Sequence, residues 1–477
     1  MKKVMVVSPH PDDELNLVGS ILPTMMDQKM DVYVVYTTNG DAERLIDNKR
    51  IREAIEALEV YGIPEDHVIF LGYANDWLYG THIYQGKEGE VFTSHLKKKE
   101  TNGIASHPEY CYRKQGIHHA FTRDNLKSDL KAVIEELLAD VIICVDYDPH
   151  PDHRATSLLF EEILGEILHD KSNYRPTVLK KFAYQGIWYG PKDYYTENRT
   201  TNMGPYYYAG LEHNLESPSY LWSDRIAFRT DKRVLTKHLK DSIAYRSAKK
   251  HRHTVAWHRL LRIINVDAVY WWRPTGSLLY QADIQVSSGK IEYLTDFKTF
   301  DTSDVLGSLD RIEESEYCWK PDADDAEKKI VIKLKEGKRL GEIILYEDAN
   351  PENHIKSLQV TIGDKDYYME PNQGGTPTRL YLEEDEIVDG LGIQILEYEG
   401  NPGLAEIEAY ECVQEWNEDR FPIPLYCEDA LQKKEIRLSQ RVEQICLDIK
   451  YFFVYLFEYS WKRVGQRIEK SISNRTQ

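Results

Sequence analysis

Short β-branched runs alternate with helical periodicity over the first 170 residues. Residues 4–7 (VMVV) predict a buried strand, and residues 15–26 a helix behind it. Residues 32–36 predict a second strand, closed by the polar turn Thr37-Thr38-Asn39-Gly40. Residues 42–60 are helical in composition, with Gly62 and Pro64 as the stop. A third strand falls at 68–71, a helix at 125–138, a strand at 141–145 and a helix at 154–169. This order predicts an α/β fold, a doubly wound, mainly parallel sheet with helices on both faces. Ligands of such sheets sit beyond the carboxyl ends of the strands. Polar clusters begin at three of those ends, at Ser8, Thr37 and Asp146. Residues 72–123 lack periodicity and read as a long insertion near that crevice. Residues 171–282 are mixed, with a helix expected over 232–250.

The pattern changes after about residue 282. Short β-like runs recur at 330–334, 343–346, 358–362, 380–382, 393–396 and 405–410, separated by Gly, Pro, Asn and Asp clusters. They predict a second domain, an all-β jelly roll over 283–412, following an α/β domain over 1–280. Pro422 and Pro424 mark a linker at 413–430, and residues 431–472 read as a C-terminal amphipathic helix. Its apolar positions Leu438, Val442, Ile445, Ile449, Phe452 and Leu456 step by 4-3-4-3-4, a coiled-coil seam too short to stand alone. Residues 431–477 carry a local charge of +5 on a chain of −19. With Tyr451, Phe453, Tyr455 and Trp461 widening the apolar face, three readings stay open: docking on the sandwich, self-association, or peripheral contact with an anionic membrane.

Composition narrows the field. The 60 Lys and Arg stand against 79 Asp and Glu, a balance that excludes nucleic-acid binding through bulk positive charge. Tyr and Trp number 33 and 9, an abundance that suits a protein handling sugars. The six cysteines form no CxxC pair and read as reduced thiols, and the apolar run 4–7 is too short for a signal peptide. Both predict a cytoplasmic protein, with the inner membrane face as a peripheral location if the tail binds lipid.

Chemistry concentrates in two tetrapeptides, His10-Pro11-Asp12-Asp13 and His150-Pro151-Asp152-His153. Composition alone predicts roughly 0.05 His-Pro-Asp triplets in such a chain, and both copies follow predicted strands. The bland alternative, turn and helix caps, accounts poorly for two extended copies. Histidine and carboxylate donors without thiolate suit a catalytic zinc with three protein ligands, other divalent ions remaining open. His10 and Asp13 flank one loop and His153 arrives from the neighbouring strand end, which frees Asp12 and His150 for acid–base work. A carboxylate beside such an ion completes the deprotonation of water, and a histidine opposite stabilises an oxyanion and protonates a leaving amine. Asp152 is placed to hold that imidazole charged and oriented.

The segments SPHPDDE (8–14), TTNGD (37–41) and DPHPDHRA (148–155) resemble the PIG-L/LmbE-like zinc-dependent N-deacetylases, which remove acetyl groups from N-acetylglucosaminyl substrates. The resemblance covers about residues 1–275. It implies His10, Asp13 and His153 as zinc ligands, Asp12 as general base, His150 as transition-state stabiliser and Asp152 as its tuning partner. Arg50 and Glu53 match the family's Arg-x-x-Glu helix, whose arginine meets sugar hydroxyls, against the plain alternative of an i,i+3 ion pair. Asp76, after FLGYAN, looks like the family's sugar-contacting aspartate. Tyr147 lies near, but off, the position of a mobile family tyrosine. The region with EYCWKPDADDAEKKIVIKL (316–334) and GNPGLAEIEAYE (400–411) resembles a galactose-binding-like, discoidin-type jelly roll. That resemblance makes Tyr367, Tyr368 and Tyr381 candidate glycan contacts. Trp319 reads as core, and Asp322, Asp324 and Asp325 as a solvated turn rather than a calcium site.

The expected activity is removal of the N-acetyl group from a GlcNAc-type sugar in a glycan or glycoconjugate. Two rivals stand beside it: an amidase with the same metal site but a non-sugar N-acyl substrate, and a non-catalytic glycan-binding protein. An activity panel separates the first rival. Retention of all six motif positions speaks against the second.

Overall fold

The computed structural model describes residues 1–41, 48–75, 82–148, 150–183, 188–189, 197–198, 200–203, 220–254, 264–302, 316–383, 387–427, 432–433, 438–443, 445–446, 449–450 and 452–453. The α/β part runs β1 (Lys3–Ser8), α1 (Asp13–Val18), α2 (Leu22–Asp27), β2 (Asp31–Thr38), α3 (Lys49–Glu59), β3 (Val68–Tyr73), α4 (Tyr110–Gln115), α5 (Arg123–Leu137), β4 (Val141–Val145), α6 (Pro151–Asp170) and β5 (Thr177–Lys181). Two further strands, β6 (Arg225–Arg229) and β7 (Asp267–Arg273), complete one sheet in the order β3-β2-β1-β4-β5-β7-β6. The first five strands are parallel, and β7 joins antiparallel to β5. Every residue of β3, β4 and β5 is buried, as a sheet covered on both faces requires. Strand order reverses between β1 and β4, so the crevice where ligands bind opens beyond Ser8 and Val145.

Two helices differ from expectation. The helix expected over 15–26 is two: Pro23 lies in the first turn of α2, where its missing N–H costs nothing, and starts a new helix there. The helix expected over 232–250 is confined to Ile243–Ala248, because Asp231 and Ser242 side chains accept the backbone amides of Arg233 and Tyr245 and divide the segment. Of the expected helix 42–60, residues 42–47 lie outside the described residues.

The second domain is a sandwich of two antiparallel sheets. Its strands are β8 (Asp283–Val286), β9 (Lys329–Arg339), β10 (Glu342–Glu347), β11 (His354–Ile362), β12 (Lys365–Met369), β13 (Thr378–Tyr381), β14 (Ile387–Glu399) and β15 (Leu404–Tyr410). They form sheets ordered β8-β9-β14-β11-β12 and β13-β10-β15. In β9, Ile330, Ile332 and Leu334 point inward while Lys329, Lys333 and Lys335 face water, the period-two pattern of a half-buried strand. Trp319 is fully buried and its indole N–H donates to the Ser288 carbonyl at 2.8 Å. Asp325 accepts from both Ser287 and Ser288 and from the Glu327 amide, so it fixes a turn. Tyr368 and Tyr381 are exposed, whereas Tyr367 packs against the sandwich core.

Strands β10 and β15 are buried at every residue because their outer face meets the α/β domain. Ile344, Tyr346, Ala405 and Tyr410 share a core with the α/β sheet and its helices. Within that seam, the Arg273 guanidinium donates to the Phe297 carbonyl at 3.0 Å and lies 3.7 Å from Glu408 and 3.9 Å from Glu161 of α6. Gly165 of α6 lets the backbone at Asp296 approach so closely that a Cβ would sit 2.0 Å from its carbonyl oxygen. The segment expected as a linker, 413–430, is a packed strap over its described part. Phe421 stacks edge-on to Phe228, and the Arg229 and Tyr426 amides donate to Pro424 and Ala227 carbonyls. Its prolines supply carbonyls without competing amides, which suits them to a sheet edge. In the described part of the tail, Leu438, Val442, Ile445, Ile449, Phe452 and Phe453 are all exposed. No helix among the described residues is long and apolar enough to cross a membrane.

Candidate metal centre and active site

The first motif leaves β1 and turns into α1 through Asp12, whose φ of 127° is a conformation side chains rarely adopt. Three contacts hold it. The Asp12 amide donates to Glu14 Oε2 at 2.8 Å, Thr38 Oγ1 donates to the Pro9 carbonyl at 2.9 Å, and Arg50 reaches in from α3. The second motif caps α6: His150 is its N-cap, and Nδ1 of that ring accepts the Asp152 amide at 3.2 Å. Both motifs thus meet at the switch point between β1 and β4.

Three donor atoms converge there. His10 Nδ1 lies 2.9 Å from Asp13 Oδ2, His153 Nε2 lies 3.0 Å from the same oxygen, and the two nitrogens are 3.2 Å apart. The outer nitrogens explain the arrangement. His10 Nε2 donates to Asp152 Oδ2 at 2.8 Å, and His153 Nδ1 donates to Asp148 Oδ2 at 2.7 Å. With those protons placed and a cation taking the place of a second proton, each ring turns a lone pair toward the carboxylate of Asp13. Three acceptors facing one another at such distances need a cation among them. Ligands of tetrahedral zinc at about 2.1 Å stand roughly 3.4 Å apart, and a carboxylate behind each ligating imidazole is the usual support. The residues therefore fit a zinc ion.

The electrostatics agree. Burial pulls His153 down, but Asp148 and Asp13 outweigh it and push the ring up to about 10. Burial raises Asp152, but the hydrogen bonds from His10 and His82 hold it well below the usual carboxylate range. A field that favours protons on these groups also favours a cation between them. His150 differs: burial first, then the neighbouring His10 and His153 rings, hold it well below the usual imidazole range. Its Nδ1 stands 3.8 Å from Asp152, which leans on His10 and His82 instead. The expectation that Asp152 keeps His150 charged is thus corrected. His150 is a neutral ring with its proton on Nε2. It groups with His10 and His153 within 4.8 Å, but the Asp152 amide occupies its Nδ1, so Asp13 makes the better third ligand.

Arg50, expected at sugar hydroxyls, is buried against the first motif: it donates to the Pro11 carbonyl, to Gly40 O at 2.9 Å and to Asp12 Oδ1 at 2.8 Å. Glu53 turns to His253, 2.6 Å away, so the i,i+3 pairing is replaced by two separate contacts. Tyr147 is buried, with the Arg154 guanidinium over its ring. Asp76 lies outside the described residues. Two residues escaped the sequence reading. Asp148 stands inside the quoted second segment, and its spacing of five before His153 was the available signal. His82, in the aperiodic insertion, lies 2.6 Å from Asp152 Oδ1 and carried none. His82→Ala is expected to free Asp152, loosen His10 and weaken metal binding by about 10–100-fold, as loss of an outer-sphere partner does; a competitive zinc titration checks it.

The family model described as GlcNAc-PI de-N-acetylase matches residues 5–164. Residues 5–164 are a PIG-L domain. Both motifs and all three converging donors fall inside it, while the sheet it begins continues to Arg273. The mycothiol S-conjugate amidase of Streptomyces coelicolor is similar over 263 residues at 24% identity, spanning 50% of this chain and 75% of the relative. Among solved structures, the N,N'-diacetylchitobiose deacetylase of Pyrococcus horikoshii is similar at 13% identity over 57% of this chain and 84% of that one, with a TM-score of 0.33. The family 32 CBM from C. perfringens NanJ, in complex with galactose, is similar at 8% identity over 27% of this chain and 93% of that one, with a TM-score of 0.21.

Proposed function

We propose that this protein is a zinc-dependent N-deacetylase that hydrolyses the N-acetyl amide of a GlcNAc-type amino sugar, releasing acetate and a free amine. The convergence of His10, Asp13 and His153 lone pairs beside Asp12 and His150 carries the reading, supported by the PIG-L match and by two relatives named as an amidase and a deacetylase. His10, Asp13 and His153 hold the ion, which when bound supplies Lewis acidity toward water and the amide carbonyl.

The chain's own residues do the rest. Asp12, fixed by the Arg50 guanidinium, takes a proton from the attacking water as the bond to the acetyl carbon forms. His150, held neutral by burial and by the neighbouring His10 and His153 rings and bearing its proton on Nε2, donates a hydrogen bond to the oxygen on which charge develops. When the C–N bond breaks, Asp12 returns its proton to the leaving nitrogen. This shifts amine protonation from His150, where the sequence placed it, to Asp12. Proton count closes: one leaves water and one reaches the amine.

Substrate class is tested with a panel of N-acetylglucosaminides and N-acyl amino acids, measuring acetate and free amine together. The proposal requires turnover of the sugars. Turnover confined to N-acyl amino acids selects the non-sugar amidase, and no turnover of either by zinc-loaded protein selects a binding role.

A further inference from the structure

A second cluster of donors sits about the insertion, apart from the PIG-L centre. Cys111 on α4, His119 in the following loop and Asp129 on α5 place one donor atom each within 4.8 Å of the others. Cys111 and Asp129 are buried, and the His119 side chain retains 15% exposure. Among its described residues the insertion has little regular structure besides α4, so few backbone ladders hold it, and its buried apolar residues Tyr84, Tyr110 and Phe121 pack into the main core. Small loop-rich units of this kind commonly need a metal or a crosslink.

The hydrogen bonds about His119 point to an ion. Its Nε2 lies 3.1 Å from Gln115 Oε1, an acceptor, so the ring proton of the neutral form sits on Nε2. Nδ1 then bears a lone pair. That nitrogen is sealed from solvent and pairs with Asp129 Oδ1 at 2.9 Å, off the line of a straight hydrogen bond. The other Asp129 oxygen accepts the Tyr73 hydroxyl at 2.7 Å, which fixes the carboxylate from behind. Two acceptors therefore face each other off-line, with a sulfur beside them. Thr101 Oγ1 contacts Cys111 Sγ at 3.2 Å and Glu109 Oε1 at 3.2 Å, holding the thiol in place. The arrangement repeats the logic of the catalytic triangle, lone pairs inward and supporting partners outward.

We infer that Cys111, His119 and Asp129 form a second, structural site for a borderline-soft divalent cation of the zinc type, which staples α4 and the loop after it to α5. Sulfur, nitrogen and oxygen donors together select zinc or cobalt over calcium or magnesium. Binding replaces the Cys111 proton by the metal and releases it to water.

Cobalt(II) gives a direct readout, because a thiolate ligand produces a near-ultraviolet sulfur-to-cobalt charge-transfer band and the catalytic triangle contains no sulfur. Full-length chain is stripped with a chelator and titrated with Co²⁺. Two equivalents per chain and a charge-transfer band are expected. Cys111→Ser is expected to lose the band and one equivalent, while His153→Ala keeps the band and loses the other. Saturation of the wild-type chain at one equivalent without the band overturns the inference, whether or not the variants fold. A band that survives Cys111→Ser overturns it too.

Discussion

Asp12→Asn is expected to keep its zinc and lose turnover by a factor of about 10²–10⁴, the usual worth of a positioned general base. The amide retains Oδ1, so it still accepts from Arg50 and the loop keeps its shape around the strained Asp12 backbone. It has no charge with which to take a proton from water. Asp13→Ala behaves oppositely: Oδ2 of Asp13 is the atom that both His10 and His153 approach, and its loss removes a ligand. Metal analysis beside kcat on the two variants separates base from ligand. Zinc lost from Asp12→Asn and kept by Asp13→Ala reverses the assignment.

A chain ending at Tyr280 is expected not to fold as a cooperative, zinc-binding unit. On the sequence alone such a truncation looks harmless, since every chemical motif precedes residue 155. The structure gives the sandwich a second task. Truncation removes Phe297, Glu406 and Glu408 from around Arg273, and strips Tyr346, Tyr410 and Phe421 from the shared core. It also removes the segment at Asp296 on which Gly165 packs, and the Thr295 carbonyl that lies 2.6 Å from His169 Nε2. Both contacts brace α6, the helix whose first turn carries His150 and His153. The same seam is reached by one substitution. Arg273→Met leaves Glu408 buried without the cation that stood 3.7 Å away, while Glu161 keeps the Lys180 ammonium at 2.7 Å, and is expected to cost about 3–5 kcal/mol in chemical denaturation of the full chain. A Tyr280-terminated chain that melts cooperatively and binds zinc contradicts this view of the seam.

The parallel sheet was legible because β-branched runs such as 4–7 and 141–145 bury both faces and leave an unbroken apolar signature. The convergence of His10, Asp13 and His153 was legible because two improbable tetrapeptides end neighbouring strands. What the sequence hid is polar and long-range. Arg273, Glu161 and Glu408 look like surface residues until the fold places them in one dry seam. The partner of Asp152 depended on a rotation that spacing does not encode: His150 is two residues away, yet the helix start turns that carboxylate to His10 and His82. Arg50 faces Asp12 for a similar reason, since a helical register names the neighbours on α3 but not the loop above it. The strap at 413–427 carried two prolines, which mark an edge strand as readily as a linker.

Metal dependence of amide hydrolysis is the central claim, and acetate release from a soluble N-acetylglucosaminide by full-length protein tests it most directly. Zinc-loaded protein is predicted to release acetate, chelator-stripped protein to release none, and added zinc to restore the rate. Release that persists undiminished in protein shown to be metal-free contradicts the account.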